Sequence, residues 1–76
     1  MDVTIWIHAG LARDGRAQEE CIHIDYGGST PRDLAAVVGL NMASVGLIFV
    51  NSILSSPNAA VYDGDRIEYL PHLEGG

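Results

Sequence analysis

Residues 29–39 have the sequence STPRDLAAVVG, and they carry the signals that begin an α-helix. The hydroxyl of Thr30 is suited to accept a hydrogen bond from the backbone of the first helical turn. Pro31 fits the first helical position, where a backbone N–H has no partner, and Asp33 can accept a hydrogen bond from the N–H of the capping residue. These signals predict a helix that begins at Pro31.

The apolar residues of the same segment predict one buried helix face and a defined end. Leu34, Val37 and Val38 recur at helical spacing and are expected to face the core. Gly39 followed by the apolar Leu40 is typical of a helix end in which glycine adopts the left-handed conformation. The helix is therefore predicted to be short.

Two strands are predicted on the N-terminal side of this helix. Residues 3–8, VTIWIH, and residues 21–25, CIHID, alternate apolar and polar positions with a period of two. The connection between them is long and polar, and its best turn signal is Asp-Gly at residues 14–15. We expect an antiparallel hairpin. The residues predicted to face the core are Val3, Ile5, Ile7, Ile22 and Ile24.

Three more strands are predicted on the C-terminal side. Residues 46–50 form the first, and an Asn-Ser turn at residues 51–52 leads into the short strand at residues 53–54. The Asp-Gly-Asp turn at residues 63–65 precedes a last strand in which Ile67 and Tyr69 face inward. The order β-β-α-β-β-β predicts a two-layer α+β domain, with a mixed sheet packed on one helix.

The composition limits the kind of partner and the kind of compartment. Ten carboxylates against four arginines and no lysine give the 76 residues a formal charge of −6. This acidity argues against nucleic acid and anionic membranes as partners and favours a basic protein surface. The apolar stretches are shorter than the ~20 residues of a membrane helix, and no basic segment precedes them as in a secretory signal. With the single cysteine, Cys21, this predicts a cytoplasmic protein.

The first hairpin carries three candidate metal ligands, His8, Cys21 and His23. If the hairpin is centred near residues 14–15, His8 lies opposite Cys21 and Trp6 lies near His23 on the sheet face away from the helix. Two imidazoles and a thiol could hold a metal ion, but their spacing matches no zinc motif. The Asp-Gly-Asp sequence lacks the rest of a calcium loop and favours a turn. We therefore expect no metal site.

The same outer sheet face is a candidate docking surface. Trp6, Phe49 and Leu70 are expected to lie on it, and an apolar patch on a small domain often marks the binding site of a partner. Scattered apolar residues at the surface are the alternative interpretation.

The chain closes with PHLEGG at residues 71–76, which predicts a flexible tail over these residues after a folded domain at residues 1–70. Gly75 and Gly76 have no Cβ, so they can pass through a narrow channel in a partner. Leu73 and Glu74 would enter that channel with them, although Glu74 could equally be an ordinary solvated residue. Because an ionised carboxylate is a poor electrophile, chemistry at Gly76 requires prior activation, most simply adenylation with ATP by a partner enzyme.

Residues 61–76, VYDGDRIEYLPHLEGG, resemble the C-terminal signature of the ThiS/MoaD family of ubiquitin-like sulfur carriers. The helix entry TPRDL and the turn VNSIL are similar to that family as well. The resemblance implies a β-grasp (ubiquitin-like) fold with four to five strands on one helix. It also implies that Gly76 is adenylated and converted to a thiocarboxylate, that the protein is a carrier rather than an enzyme, and that it binds no cofactor itself.

The resemblance implies two kinds of partner. One is an adenylating enzyme related to ubiquitin-activating enzymes, which uses ATP, and the other is an enzyme that accepts the sulfur. In the MoaD branch, which Pro71 favours, the acceptor is the large subunit of molybdopterin synthase. In the ThiS branch, which the short chain favours, it is thiazole synthase. We predict the MoaD role; a ThiS role, a ubiquitin-like modifier conjugated to lysines and a plain interaction module are the alternatives.

Overall fold

The computed structural model describes residues 1–11, 17–25 and 29–72. Within these residues the predicted order β-β-α-β-β-β is confirmed, with a short 3₁₀ turn added before the third strand. The elements are β1 (Asp2–Ile7), β2 (Gln18–His23), α1 (Pro31–Val37), the 3₁₀ turn (Met42–Ser44), β3 (Val45–Val50), β4 (Ile53–Leu54) and β5 (Arg66–Pro71). In this part of the chain no helix is long and apolar enough to cross a membrane.

The five strands form one mixed sheet in the order β2-β1-β5-β3-β4. The last strand in sequence, β5, lies in the centre, parallel to β1 and antiparallel to β3. The antiparallel hairpins β1–β2 and β3–β4 lie on either side of β5. With one helix packed on one face of the sheet, this is the β-grasp architecture, and the predicted α+β class is confirmed.

The core lies between the helix and the inner face of the sheet. All of the inward residues predicted in β1 and β5 are buried, and Ile24 is buried while Ile22 is partly buried. Tyr69 is fully buried, and its hydroxyl donates a hydrogen bond to the carbonyl of Pro31 at the start of α1. The buried apolar residues are Val3, Ile5, Ile7, Ile24, Leu34, Ala35, Val45, Ile48, Val61, Ile67 and Tyr69.

The helix begins as its sequence predicts. Thr30 and Asp33 form a reciprocal capping box, in which each side chain accepts a hydrogen bond from the other residue's N–H. At the other end Gly39 has a φ of +74°, and its N–H donates to Ala36 while the N–H of Leu40 donates to Ala35. This is a Schellman motif, so the predicted glycine end is confirmed.

The predicted helix face is only partly correct. Leu34 is buried and Val38 packs against the core, but Val37 is 51% exposed and Ala35 is fully buried in its place. The buried face is centred between Leu34 and Ala35, and Val37 lies roughly 110° around the helix axis from that centre.

The predicted turn between β3 and β4 is confirmed, with positive φ at both of its residues. Asn51 has a φ of 51° and Ser52 a φ of 68°, as in the tight turn that matches the twist of a hairpin. Asn51 is also held by β5, because its N–H donates to the Arg66 carbonyl and its side-chain oxygen accepts from the Arg66 N–H. The turn is therefore fixed by contacts with the central strand.

The Asp-Gly-Asp segment is a turn, as predicted, and it forms hydrogen bonds with the start of β1. Gly64 has a φ of +87°, and its N–H donates to the carbonyl of Asp2. The carboxylate of Asp63 accepts from the N–H of Asp2, and that of Asp65 accepts from the N–H of Tyr62. Both carboxylates thus bind backbone N–H groups.

Candidate functional site

The candidate site begins where β5 leaves the sheet. β5 includes Pro71, the first residue of the predicted tail, and Pro71 is in register with Val45 of β3. The next residue, His72, donates a hydrogen bond from Nε2 to the carbonyl of Ala43, at 3.1 Å. The body of the protein therefore extends to His72.

The four residues that follow lie outside the described part of the chain. They are Leu73, Glu74, Gly75 and Gly76. Their predicted roles, a threading segment that ends in a reactive carboxylate, stay predictions. The same holds for the Asp-Gly turn predicted at residues 14–15.

The three predicted docking residues lie on the outer face of the sheet, away from the helix, and each is half-buried. Phe49 is in register with Leu54 of β4, which is 62% exposed, and Leu70 is in register with Leu47 of β3. These four side chains form an apolar patch over β3, β4 and β5. Trp6 lies in the neighbouring strand β1, on the other side of β5 from β3 and β4.

Trp6 is the centre of a cluster that the sequence analysis missed. The guanidinium of Arg66 lies over its ring at 4.4 Å from the centroid, and the ring of His8 stacks on it at 5.1 Å with an interplanar angle of 10°. Glu68 contacts both neighbours, at 3.2 Å from His8 Nε2 and 3.8 Å from Arg66 Nε. Glu19 of β2 approaches Arg66 at 3.6 Å. These contacts hold the indole in place.

The alternation of β5 could have revealed this cluster. If Ile67 and Tyr69 face the core, Arg66 and Glu68 must face outward. Their position beside Trp6 depends on the parallel pairing of β1 with β5, in which Trp6 is in register with Glu68. That long-range pairing has no local signal in the sequence.

Charge divides the outer face into two halves. Residues 34–62 contain no Asp, Glu, Lys, Arg or His, so β3 and β4 are uncharged. The charged and ionisable side chains described on this face belong to β1, β2, β5 and the residue after β1, and they include Asp2, His8, Glu19, Cys21, His23, Arg66 and Glu68. A partner that covers the whole face would need apolar groups over β3 and β4 and polar or basic groups over β1 and β2.

The predicted register of the first hairpin is wrong. Cys21 pairs with Thr4 rather than with His8, a shift of four residues, and His23 pairs with Asp2. His8 therefore contacts neither Cys21 nor His23. Within residues 1–11, 17–25 and 29–72 there is no group of three or more His, Cys, Asp or Glu side chains that could hold a metal ion.

His23 has an ion pair on each side. Its Nδ1 contacts Asp2 and its Nε2 contacts Asp25 at 2.8 Å, an arrangement in which both ring nitrogens donate when the ring is protonated. The hydrogen bond that His23 donates to Asp2, with a second that it donates to Asp25, raises the pKa of His23, and the hydrogen bond from His23 lowers the pKa of Asp2. This pair lies at the start of β1, at the opposite end of the sheet from Pro71.

Tyr69 also has a shifted pKa. Burial raises the pKa of its hydroxyl well above the usual range, so the phenol stays neutral and remains a donor. Its inward position makes it a core residue.

Comparison with known proteins identifies the fold. No protein-family model matches the chain, and no curated protein matches it significantly. Among solved structures it is similar to SAMP1 from Haloferax volcanii, with 23% sequence identity over the whole of both chains and a TM-score of 0.71. At this identity the likeness establishes the fold alone. The chain has the β-grasp fold that its C-terminal motif predicted.

Proposed function

We propose that this protein is a ubiquitin-like sulfur carrier whose C-terminal Gly76 is adenylated and then converted to a thiocarboxylate. The single observation that carries the proposal is the position of the diglycine end: it follows the central strand of a β-grasp sheet by only a few residues. A folded body of this kind can present its own carboxyl terminus to a partner, which supplies the catalytic groups.

The chemistry proposed for Gly76 has four steps. A carboxylate oxygen attacks the α-phosphate of ATP in the active site of the partner, and pyrophosphate leaves. A sulfide-level nucleophile then attacks the acyl adenylate, displaces AMP and leaves a thiocarboxylate, which is a stronger nucleophile than the carboxylate. The thiocarboxylate sulfur then attacks an electrophilic carbon of the acceptor and displaces an oxygen leaving group. Water cleaves the acyl–sulfur bond of the resulting thioester, so the sulfur stays on the acceptor and the carboxylate is restored.

The composition of the chain suits an activated terminus. The 76 residues contain no lysine, so no side-chain ammonium group of the chain can lose a proton and attack its own acyl adenylate. ATP is bound by the activating partner in this proposal, and the carrier itself binds no cofactor.

The outer sheet face is the proposed docking surface for the activating enzyme. Ordering tail residues in a channel costs roughly 1–2 kcal/mol each in backbone entropy, so contacts of the folded body must offset that cost. The apolar patch around Phe49 and Leu70 and the fixed indole of Trp6 can supply such contacts. The carboxylates of the β1–β2 side would meet basic groups of the partner.

For the sulfur acceptor we propose the large subunit of molybdopterin synthase, which converts a pterin precursor of the molybdenum or tungsten cofactor. The resemblance of residues 61–76 to sulfur carriers supports this choice, with Pro71 as in the MoaD branch. A thiazole synthase is the alternative acceptor, and supplying the two acceptor enzymes separately to the thiocarboxylate form distinguishes them.

The test is the intact mass of the chain from its native host. The proposal expects a species heavier by the difference between one sulfur and one oxygen atom, which disappears on incubation with the acceptor enzyme. The matched control lacks Gly75 and Gly76 and should stay at its unmodified mass. A native pool that is entirely carboxylate in cells making the cofactor would contradict the proposal.

A second candidate function is that of a ubiquitin-like protein modifier, which would use the same β-grasp body and the same diglycine tail. In that role the activated Gly76 would form isopeptide bonds with lysines of other proteins. Digestion would then leave Gly-Gly remnants on those lysines, and their absence from the host proteome would exclude this function.

A further inference from the structure

Two glycines pack against the backbone and ring where β5 ends. A Cβ added to Gly46 would lie 2.5 Å from the Cα of His72 and 2.7 Å from its N, closer than real Cβ atoms approach a backbone. A Cβ added to Gly10 would lie 2.8 Å from Cγ of Pro71. The last two described residues are thus enclosed from two sides by positions that accept no side chain.

The contact with Gly46 results from an irregularity in β3. The pairing of β3 with β5 shifts between Val45 and Leu47, so Gly46 has no partner of its own in the ladder. A bulge bends its strand locally and here brings the backbone of β3 against His72. The side chain of His72 reaches back over the same strand to the carbonyl of Ala43.

The contact with Gly10 comes from the opposite side of β5. The turn after β1 is closed by a hydrogen bond from the N–H of Leu11 to the carbonyl of His8. The N–H of His8 donates to the carbonyl of Tyr69 in β5. Gly10 lies in this turn and faces the ring of Pro71. Gly10 follows β1 of the first hairpin, and Gly46 lies in β3 of the second hairpin. The two glycines therefore contact Pro71 and His72 from opposite sides of β5.

We infer that Gly10 and Gly46 are positioning residues, which fix the point and the direction in which the chain leaves the body after His72. This inference rests on the proposed function and deepens it. The activating enzyme docks on the sheet face, and its active site receives Gly76, four residues beyond His72. A fixed exit lets docking place the carboxylate near ATP, whereas a displaced exit misplaces it although docking is intact.

The first experiment compares Gly46→Ala with wild type in ATP–pyrophosphate exchange, using the host's activating enzyme. Because the clash is with backbone, the new methyl group must displace His72. We expect kcat to fall by about tenfold to a hundredfold with KM nearly unchanged. The matched control is Val61→Ala, a core substitution remote from Pro71, which should lower stability while leaving kcat unchanged at a temperature where it is folded.

The second experiment uses a compensating pair. The atom that meets a Cβ at Gly10 is Cγ of the Pro71 ring, which Pro71→Ala removes. Gly10→Ala should lower kcat, and Gly10→Ala combined with Pro71→Ala should restore most of it. A general need for backbone freedom at Gly10 predicts no such recovery, so a double variant as slow as Gly10→Ala overturns the role of Gly10.

The outcomes separate this inference from the function on which it rests. If wild type supports no exchange and acquires no thiocarboxylate, both proposals are overturned. If wild type is active and folded Gly46→Ala has the same kcat, only the positioning role is overturned. Heteronuclear NOE values give a readout without the enzyme: the His72 amide should be as rigid as that of Tyr69 in wild type and less rigid in Gly46→Ala.

Discussion

The two faces of the central strand β5 differ sharply in burial and in charge. Ile67 and Tyr69 point from β5 toward the helix and are fully buried, while their neighbours Arg66 and Glu68 point outward into a cluster with Trp6. One strand therefore supplies both the core and the candidate docking surface. Alternate residues of β5 therefore contribute to stability and to the candidate docking surface, so substitutions at alternate positions can test the two roles separately.

The largest expected effect is on the inner face. Ile67→Ala should lower the free energy of unfolding by about 2–5 kcal/mol, because it leaves a cavity at a fully buried position. A domain of this size has little stability in reserve, so urea titration should show a large shift of the midpoint. The matched control is Leu70→Ala on the outer face of the same strand. An equal loss in both variants would show that the two faces do not differ in energy.

The second effect is on the outer face. Trp6→Ala should cost about 1–2 kcal/mol of stability, because the indole is half-buried and the contact with Arg66 adds roughly 0.5–1 kcal/mol. Its effect on recognition should be larger. In ATP–pyrophosphate exchange KM should rise at least about tenfold, since aromatic anchors dominate binding at interfaces. An unchanged KM would remove Trp6 from the docking surface.

The third effect is the loss of a single hydrogen bond on the inner face of β5. Tyr69→Phe removes the donor to the Pro31 carbonyl and should cost about 1 kcal/mol, measured by chemical denaturation. Tyr62→Phe is the control, because Tyr62 is 69% exposed and its loss should not be measurable. If Tyr69→Phe is as stable as wild type, this bond does not help to hold the helix on the sheet.

The smallest effect is a pH dependence from the outer face. His23 has a raised pKa, so its contribution is present below its ordinary value of 6.5 and is lost as pH rises through the folded value. Asp2 has a lowered pKa, so its contribution is present above 3.8 and is lost as pH falls through its folded value. The ion pair between His23 and Asp2 should therefore stabilise the folded state most between pH 3.8 and pH 6.5.

The corresponding measurement is Tm against pH for wild type and His23→Gln. The difference in Tm should be greatest between pH 3.8 and 6.5 and should shrink at higher pH. It should be small, because both side chains are exposed and solvent screens the pair. A difference in Tm between wild type and His23→Gln that grows above pH 8 would contradict the raised pKa of His23.

Local chemistry made much of the fold predictable. The capping box of Thr30 and Asp33, the left-handed Gly39 and the turn at Asn51 depend on neighbours within a few residues, and the structure has all three. The alternation of β1 and β5 identified their inner faces correctly for the same reason. These features need no knowledge of where distant strands lie.

Long-range pairing was less predictable. The partner of Cys21 depends on the length and path of a connection whose middle lies outside the described residues, and the turn signal at residues 14–15 gave a register four residues off. The cluster around Trp6 requires β1 beside β5, two strands whose paired residues are far apart in the sequence, as Trp6 and Glu68 are. No periodicity within either strand specifies that neighbour.

The central place of β5 has a consequence for synthesis on the ribosome. β1 and β3 have no strand between them until β5 emerges, and β5 is the last described element to be translated. A nascent chain cannot complete its core before that moment, because the fully buried Ile67 and Tyr69 arrive only then. The domain should therefore fold only after β5 has emerged from the ribosome, so a partner that recognises the sheet would encounter only chains in which β5 has already been made.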